Sequence, residues 1–233
     1  MNIQKYKAFI KTMELGSFTK AADALGYSQS GISRMIGDLE EEWNHWLPNI
    51  IKAFQRDYPG IEYELLLGDY TEIEEWIMEG RVDCGFLRLP THSELDCILL
   101  EKDELKAIIP SNHPLAKEEV FPIKELCREP FMLLEKGAKA EISKVFARNG
   151  LEPNVRFTTW DDYAVMSMVE SGLGVSILPQ LILKRVPYDI ISKSLDVEAY
   201  RQIGFAVRDM KTISIAVKRF MEYLEYRNVK ELS

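Results

Sequence analysis

The sequence predicts an N-terminal all-α helix-turn-helix followed by an α/β domain in two lobes. Two observations predict this. Before residue 40, apolar residues recur at helical spacing three times in succession. After residue 60, short apolar runs alternate with helical stripes, punctuated by Gly and Pro, as strands and helices around a largely parallel sheet would be. A third observation is an absence of punctuation: the stretch YSQSGISRMIGDLEEEWNHWLPNIIKAF, Tyr27 to Phe54, passes from one pattern to the other without a linker.

The first helix carries Tyr6, Phe9, Ile10 and Met13; the second carries Phe18, Ala21, Ala22 and Leu25; the third carries Ile32, Ile36 and Leu39. Gly16 with Ser17, and Gly26 with Ser28, separate them, Gly supplying the helix exit and Ser the cap. A helix, a short Gly-containing turn and a second helix make a helix-turn-helix. With Ile32, Ile36 and Leu39 turned inward at about 100° per residue, Ser30, Ser33, Arg34 and Gly37 face outward, with Gln29 at the N-terminal edge. Ser and Gln can meet base edges, Arg34 can take a guanine or a phosphate, and Gly37 lets the backbone approach a groove wall. The acidic tail Asp38, Glu40, Glu41 and Glu42 would then point away from the phosphates.

Composition narrows the function classes. The chain has 233 residues, 46% of them hydrophobic, enough for a full core and more than one module. No run reaches the roughly eighteen apolar residues a membrane helix needs, and MNIQKYKAFIKTMELGS lacks a signal-peptide core, so no membrane partner and a cytoplasmic location are expected. Cys84, Cys97 and Cys127 lack CxxC spacing and read as reduced thiols, with no metal site. A net charge of -8 confines any nucleic-acid contact to a local basic surface, which Lys5, Lys7, Lys11, Lys20 and Arg34 offer. No nucleophile with a base partner, GxSxG, HExxH or phosphate loop is legible, and His45, His92 and His113 are isolated. No enzyme, catalytic residue or cofactor is expected.

Further along, Trp46, Leu47, Ile50, Ile51 and Phe54 form a helical stripe ending before Tyr58-Pro59-Gly60, and Ile61 to Leu67 reads as a strand. Thr71 and Glu74 match a capping box opening a helix closed by Gly80, and Val82 to Leu87 is a short strand. After Pro110 the pattern predicts a strand at Phe131 to Leu134, a helix from Ala140 to Asn149, a strand at Asn154 to Thr158, a helix from Asp161 to Glu170 and a strand at Gly174 to Leu178.

The stretch AFIKTMELGSFTKAADALGYSQSGISRMIGDLEEEW resembles the N-terminal winged helix-turn-helix of LysR-type transcriptional regulators. Gly16, Ser17, Phe18, Ala21, Ala22, Leu25, Ser28, Gln29, Ser30, Ser33 and Leu39 stand where that pattern needs them, over roughly residues 3 to 43. The resemblance implies double-stranded operator DNA as partner, with Ser28, Gln29, Ser30, Ser33 and Arg34 on the DNA side and Thr19 and Lys20 near backbone phosphate. The runs LPNIIKAFQRDYPGIEYELLLGD, EGRVDCGF, IIPSNHPLA, EPFMLLEKG and VESGLGVSILP resemble the effector domain of the same family, a two-lobed fold similar to periplasmic binding proteins. That implies a helix-turn-helix domain at 1–43 and an effector domain at 44–233, with lobe I at about 44–107 and 205–233 and lobe II at about 108–204. The chain would cross to lobe II near Ala107 to Pro110 and return near Gln202 to Val207, and Ser214 to Arg227 would form a final helix. A small-molecule effector would bind between the lobes, with Gly68, Asp69, Tyr70, Leu87, Arg88, Gly137, Thr159 and Trp160 as candidate contacts. A homo-oligomer through the effector domain is implied too.

Between the recognition helix and the effector domain the family has a wing, a long dimerising linker helix and a first effector strand. Here Trp43 runs directly into Asn44-His45-Trp46-Leu47-Pro48, as in a regulator with an internal deletion. The winged-helix type is thus expected to lack its wing, and a strand neighbouring the lost one to have an unpaired edge. Pro48 predicts a break near Asn44, with Asn44 capping a helix that holds Pro48 in or just after its first turn.

Overall fold

A computed structural model of the chain describes residues 24–25, 46–66, 68–91, 94–134, 141–159, 161–185 and 187–228. Ala24 and Leu25 are helical, within the second predicted helix. The rest of the predicted head lies outside the described residues, and with it Thr19, Lys20, Ser28, Gln29, Ser30, Ser33 and Arg34. The chain divides into two compact units, Met1–Gly68 with Ile213–Ser233, and Asp69–Thr212.

In the first unit, α1 (Leu47–Asp57) starts from Trp46, which offers no side-chain cap, and has Pro48 in its first turn. The expected cap at Asn44 is therefore corrected to Trp46. Proline lacks an N–H and presets a helical φ, so it suits the first turn and places the helix start just before itself. Ile50, Ala53 and Phe54 are buried, and the helix stops at Tyr58, whose N–H bonds the Phe54 carbonyl at 2.9 Å ahead of Pro59-Gly60. Phe54 is the hub of an aromatic cluster, with ring centres 4.7 Å from Tyr58, 5.3 Å from Phe220 and 5.1 Å from Tyr223. The single final helix expected over 214–227 is two pieces, α6 (Ile215–Met221), capped by the Ser214 hydroxyl, and a 3₁₀ turn at Leu224–Asn228. Trp46 is buried, with the Arg227 guanidinium 5.9 Å from its ring centre.

The strand expected at Ile61 to Leu67 does not form over 61–66. Its alternating Ile61, Tyr63 and Leu65 suit a strand, but a strand persists through ladder hydrogen bonds, and no described residue pairs with this segment. Leu65 remains 64% exposed.

The second unit opens with α2 (Tyr70–Met78). Its capping box sits two residues earlier than expected: the Asp69 carboxylate accepts from the Thr71 and Glu72 amides at 2.8 and 2.9 Å, and Glu72 accepts from the Asp69 amide at 2.9 Å. An aspartate here satisfies two orphan amides and places negative charge at the helix N-terminus, which Thr71 could not do. Asp69→Ala should lower stability by about 1 kcal/mol in urea denaturation while Asp69→Ser retains most of the wild-type stability; equal losses in both variants would show that the side-chain cap does not stabilise α2.

The strands are β1 (Gly85–Leu89), β2 (Asp96–Pro110), β3 (Val120–Phe121), β4 (Phe131–Leu134), β5 (Val155–Thr159), β6 (Val175–Pro179), β7 (Ile190–Leu195) and β8 (Tyr200–Val207), in the order β1-β8-β2-β6-β4-β5, with β7 on β2 and β3 on β7. The largely parallel sheet that was expected is mixed. β4, β5 and β6 pair parallel, as do β3 and β7, whereas β1/β8, β2/β8, β2/β6 and β2/β7 are antiparallel. The reason is β2, a 15-residue strand that the sequence reading did not find. Its first half pairs with β8 and its second half with β6 and β7, so one strand belongs to two sheets.

Around the second sheet, adjacent residues bury on opposite faces. Ala107, Phe131 and Ile177 join one core with Ile142, Val145 and Phe146 of α4 (Glu141–Arg148). Their neighbours Ile108, Met132 and Leu178 join another with Val165, Met166 and Val169 of α5 (Asp162–Glu170). This strand alternation gives a three-layer α/β/α sandwich. The short α3 (Ile123–Leu126) adds Ile123 and Leu126 to the first core. Gly174, at φ +154°, admits no side chain, because a Cβ would fall on the Pro130 carbonyl that receives the Val175 amide at 2.9 Å.

Candidate functional site

One face of the first sheet carries a charged cluster within the second unit. Asp103 of β2 and Arg201 of β8 are directly opposed across the ladder. Arg201 donates from Nε to Asp103 Oδ2 at 2.8 Å, and Asp103 Oδ1 accepts the Leu181 amide at 2.9 Å. Arg88 of β1 is the cross-strand partner of Ile203, two residues from Arg201, so the two guanidiniums share a face with the packed rings of Phe86 and Phe205. Arg88 is 9% exposed and pairs through Nε with Glu141 Oε1 at 3.3 Å. Tyr70, at the start of α2, bridges the arginines: its ring centre lies 5.5 Å from the Arg88 guanidinium and its hydroxyl 3.5 Å from Arg201 Nη1.

Burial pushes the Glu141 carboxyl up, Arg88 and Arg201 pull it down, and Asp103 adds to the upward push; the net direction is up. Two guanidiniums held on paired strands, with an aromatic face between them, can receive a planar or tetrahedral anion through forked hydrogen bonds.

Of the sequence-derived candidates, the structure brings Tyr70 and Arg88 together. Leu87 is fully buried on the other face of β1, which it shares with Gly85, where an added methyl would meet Ile73 and Ile77 of α2. Asp69 caps α2. Gly68 is half-buried and falls in the first unit. Thr159 ends β5, where its hydroxyl accepts the Asp161 amide at 3.2 Å. Gly137 and Trp160 lie outside the described residues. Asp103, Glu141 and Arg201 escaped the sequence reading. A signal for two of them was present: Asp103 is in register with Leu105, Ala107 and Ile109, and Arg201 with Ile203, Phe205 and Val207, so each charge occupies a position of buried periodicity.

An α/β sandwich joined through one shared strand to a second sheet, with convergent polar side chains on a strand face, is a framework that can hold a small ligand. Residues 41–228 match the family model of the LysR substrate binding domain, and residues 3–47 that of the bacterial regulatory helix-turn-helix protein, lysR family. The chain belongs to the LysR family of transcriptional regulators, with a helix-turn-helix DNA-binding domain and an effector-binding domain. The uncharacterized HTH-type transcriptional regulator YvbU of Bacillus subtilis is 26% identical, covering 95% of this chain and 97% of its own. That alignment runs over 284 residues although this chain has 233, so the relative has stretches with no counterpart here. The two family matches overlap at the junction instead of leaving a linker between them. Among solved structures, the BenM effector binding domain with its effector benzoate is similar at TM-score 0.71 and 24% identity, covering 79% of this chain and 86% of that one. The Synechocystis PCC6803 CcmR regulatory domain in complex with 2-PG is similar at 0.70 and 24%, covering 79% and 91%. Among the described residues no helix is long and apolar enough to cross a membrane.

Proposed function

We propose that residues 1–43 read operator DNA and that residues 44–233 sense a small-molecule effector, with lobe I at about 44–107 and 205–233 and lobe II at about 108–204. Ser28, Gln29, Ser30, Ser33 and Arg34 lie on the DNA side, with Thr19 and Lys20 near the phosphate backbone. The effector contacts Tyr70 and Arg88, with Arg201 added to the set; Gly68, Asp69, Gly137, Thr159 and Trp160 stay as candidates, whereas Leu87, fully buried on the opposite face of β1, drops out. The chain performs no catalysis, needs no cofactor or metal, works in the cytoplasm and assembles through its effector domain. The observation that supports this reading is the presence of both family matches in one chain. The bound benzoate and 2-PG of the similar structures support a small organic effector.

The overlapping family matches favour a second reading, a regulator that has lost its wing and linker helix and with them paired operator binding. Fluorescence anisotropy against a mixed-sequence duplex at two salt concentrations, with molar mass from light scattering, separates the two. A working regulator should be a dimer or larger, bind with steep salt dependence, and lose about one unit of salt slope in Arg34→Ala if that residue holds a phosphate. A monomer without measurable binding would leave a ligand-sensing protein whose DNA function is ancestral.

A further inference from the structure

The two arginines of the cluster have partners of different kinds. Arg201 is held across the ladder by Asp103, whose side chain is 1% exposed and already fixed by the Leu181 amide. Arg88 is held from outside its sheet by Glu141, the first residue of α4, with a side chain 22% exposed. That ion pair stands at 3.3 Å, against the roughly 2.7–2.9 Å of a strong charge-assisted bond. A buried guanidinium needs an anion beside it, and among the described residues Glu141 supplies one through a single Nε contact.

We propose that Glu141 is an exchangeable counter-ion of Arg88, and that a carboxylate or phosphate of the effector takes its place. This rests on the reading of the chain as an effector-responsive regulator. The exchange releases the first turn of α4 from β1 and so converts anion binding into a change at a helix end. The groups facing Glu141 are Arg88 on β1, Arg201 on β8 and Asp103 on β2, with the Tyr70 hydroxyl on α2 beside Arg201. When Arg88 turns to the ligand, Glu141 keeps its burial and the repulsion of Asp103 but loses its largest attraction. Its carboxyl, already pushed up, rises further, so its protonated fraction grows and proton is drawn from solvent. Anion binding therefore takes up proton and tightens as pH falls.

Isothermal titration calorimetry of the full chain with benzoate and with inorganic phosphate, in buffers of different ionisation heat, tests this. The wild type should bind at least one of the two with net proton uptake. Glu141→Gln should bind it about tenfold more tightly, a gain of about 1.4 kcal/mol, without proton uptake. Arg88→Gln should lose binding; if that variant does not fold, Glu141→Gln and the proton count decide. Unchanged or weaker binding by Glu141→Gln, binding by the wild type with no proton taken up, or no binding of either anion would each overturn the proposal. DNA anisotropy on the same preparations separates the failures: absent DNA binding with intact anion exchange removes the regulator reading alone, and the reverse removes only the exchange.

Discussion

Replacing Asp103 with alanine is expected to cost about 3–5 kcal/mol of stability, seen as a lower urea midpoint at unchanged slope. The size comes from what is left behind. Arg201, its side chain 10% exposed, loses the carboxylate at 2.8 Å, and the Leu181 amide loses its acceptor at 2.9 Å. A buried charge without its partner costs far more than the pair contributed, because its desolvation is no longer offset. Asp103→Asn keeps an acceptor for Leu181 and removes only the charge, so its loss should fall clearly below that of alanine. Arg201→Met with Asp103→Leu, which removes both charges and fills the space, should recover much of it. An alanine variant within about 0.5 kcal/mol of wild type, the scatter of ordinary surface substitutions, would show that the pair is hydrated and that the cluster is not a rigid site.

Phe54→Ala should destabilise the first unit by about 3–5 kcal/mol, through lost burial and the cavity left among rings that cannot all collapse inward. Phe54 is 2% exposed and lies edge-on to Phe220 and Tyr223, joining α1 to the C-terminal elements across a long stretch of sequence. The loss should appear in the near-ultraviolet circular dichroism of the aromatic residues. Phe54→Leu, which preserves most of the volume, should lose less than half as much. If alanine and leucine variants unfold together with wild type, the ring cluster does not hold that unit.

The elements legible in the sequence were those whose signal is local. β4 and α5 with its Asp161 cap lie within a residue of where the sequence pattern put them, because a short apolar run and a capped apolar stripe carry their signal within their own residues. The elements that were missed depend on distant partners. β2 carries Glu101, Lys102, Asp103, Glu104 and Lys106, and reads as a polar loop until β8, β6 and β7 supply its ladder. The segment 61–66 fails in the opposite direction, with strand composition and no described strand to pair with. The candidate site divides the same way. Tyr70 and Arg88 were carried over from the family resemblance, each placed after an expected strand, whereas Asp103, Arg201 and Glu141 come from three other elements.

The sequence by itself determined the family, through a head whose residues stand at fixed spacing, and the existence of most helices and parallel strands, through apolar periodicity and caps. The tertiary structure alone decided which strand is shared by two sheets, where the junction helix begins to be buried, and which charges meet. Hydrogen-bond ladders and ion pairs form between residues as far apart as Arg88 and Glu141 or Asp103 and Arg201, and a local pattern holds no record of a partner contributed by another part of the chain.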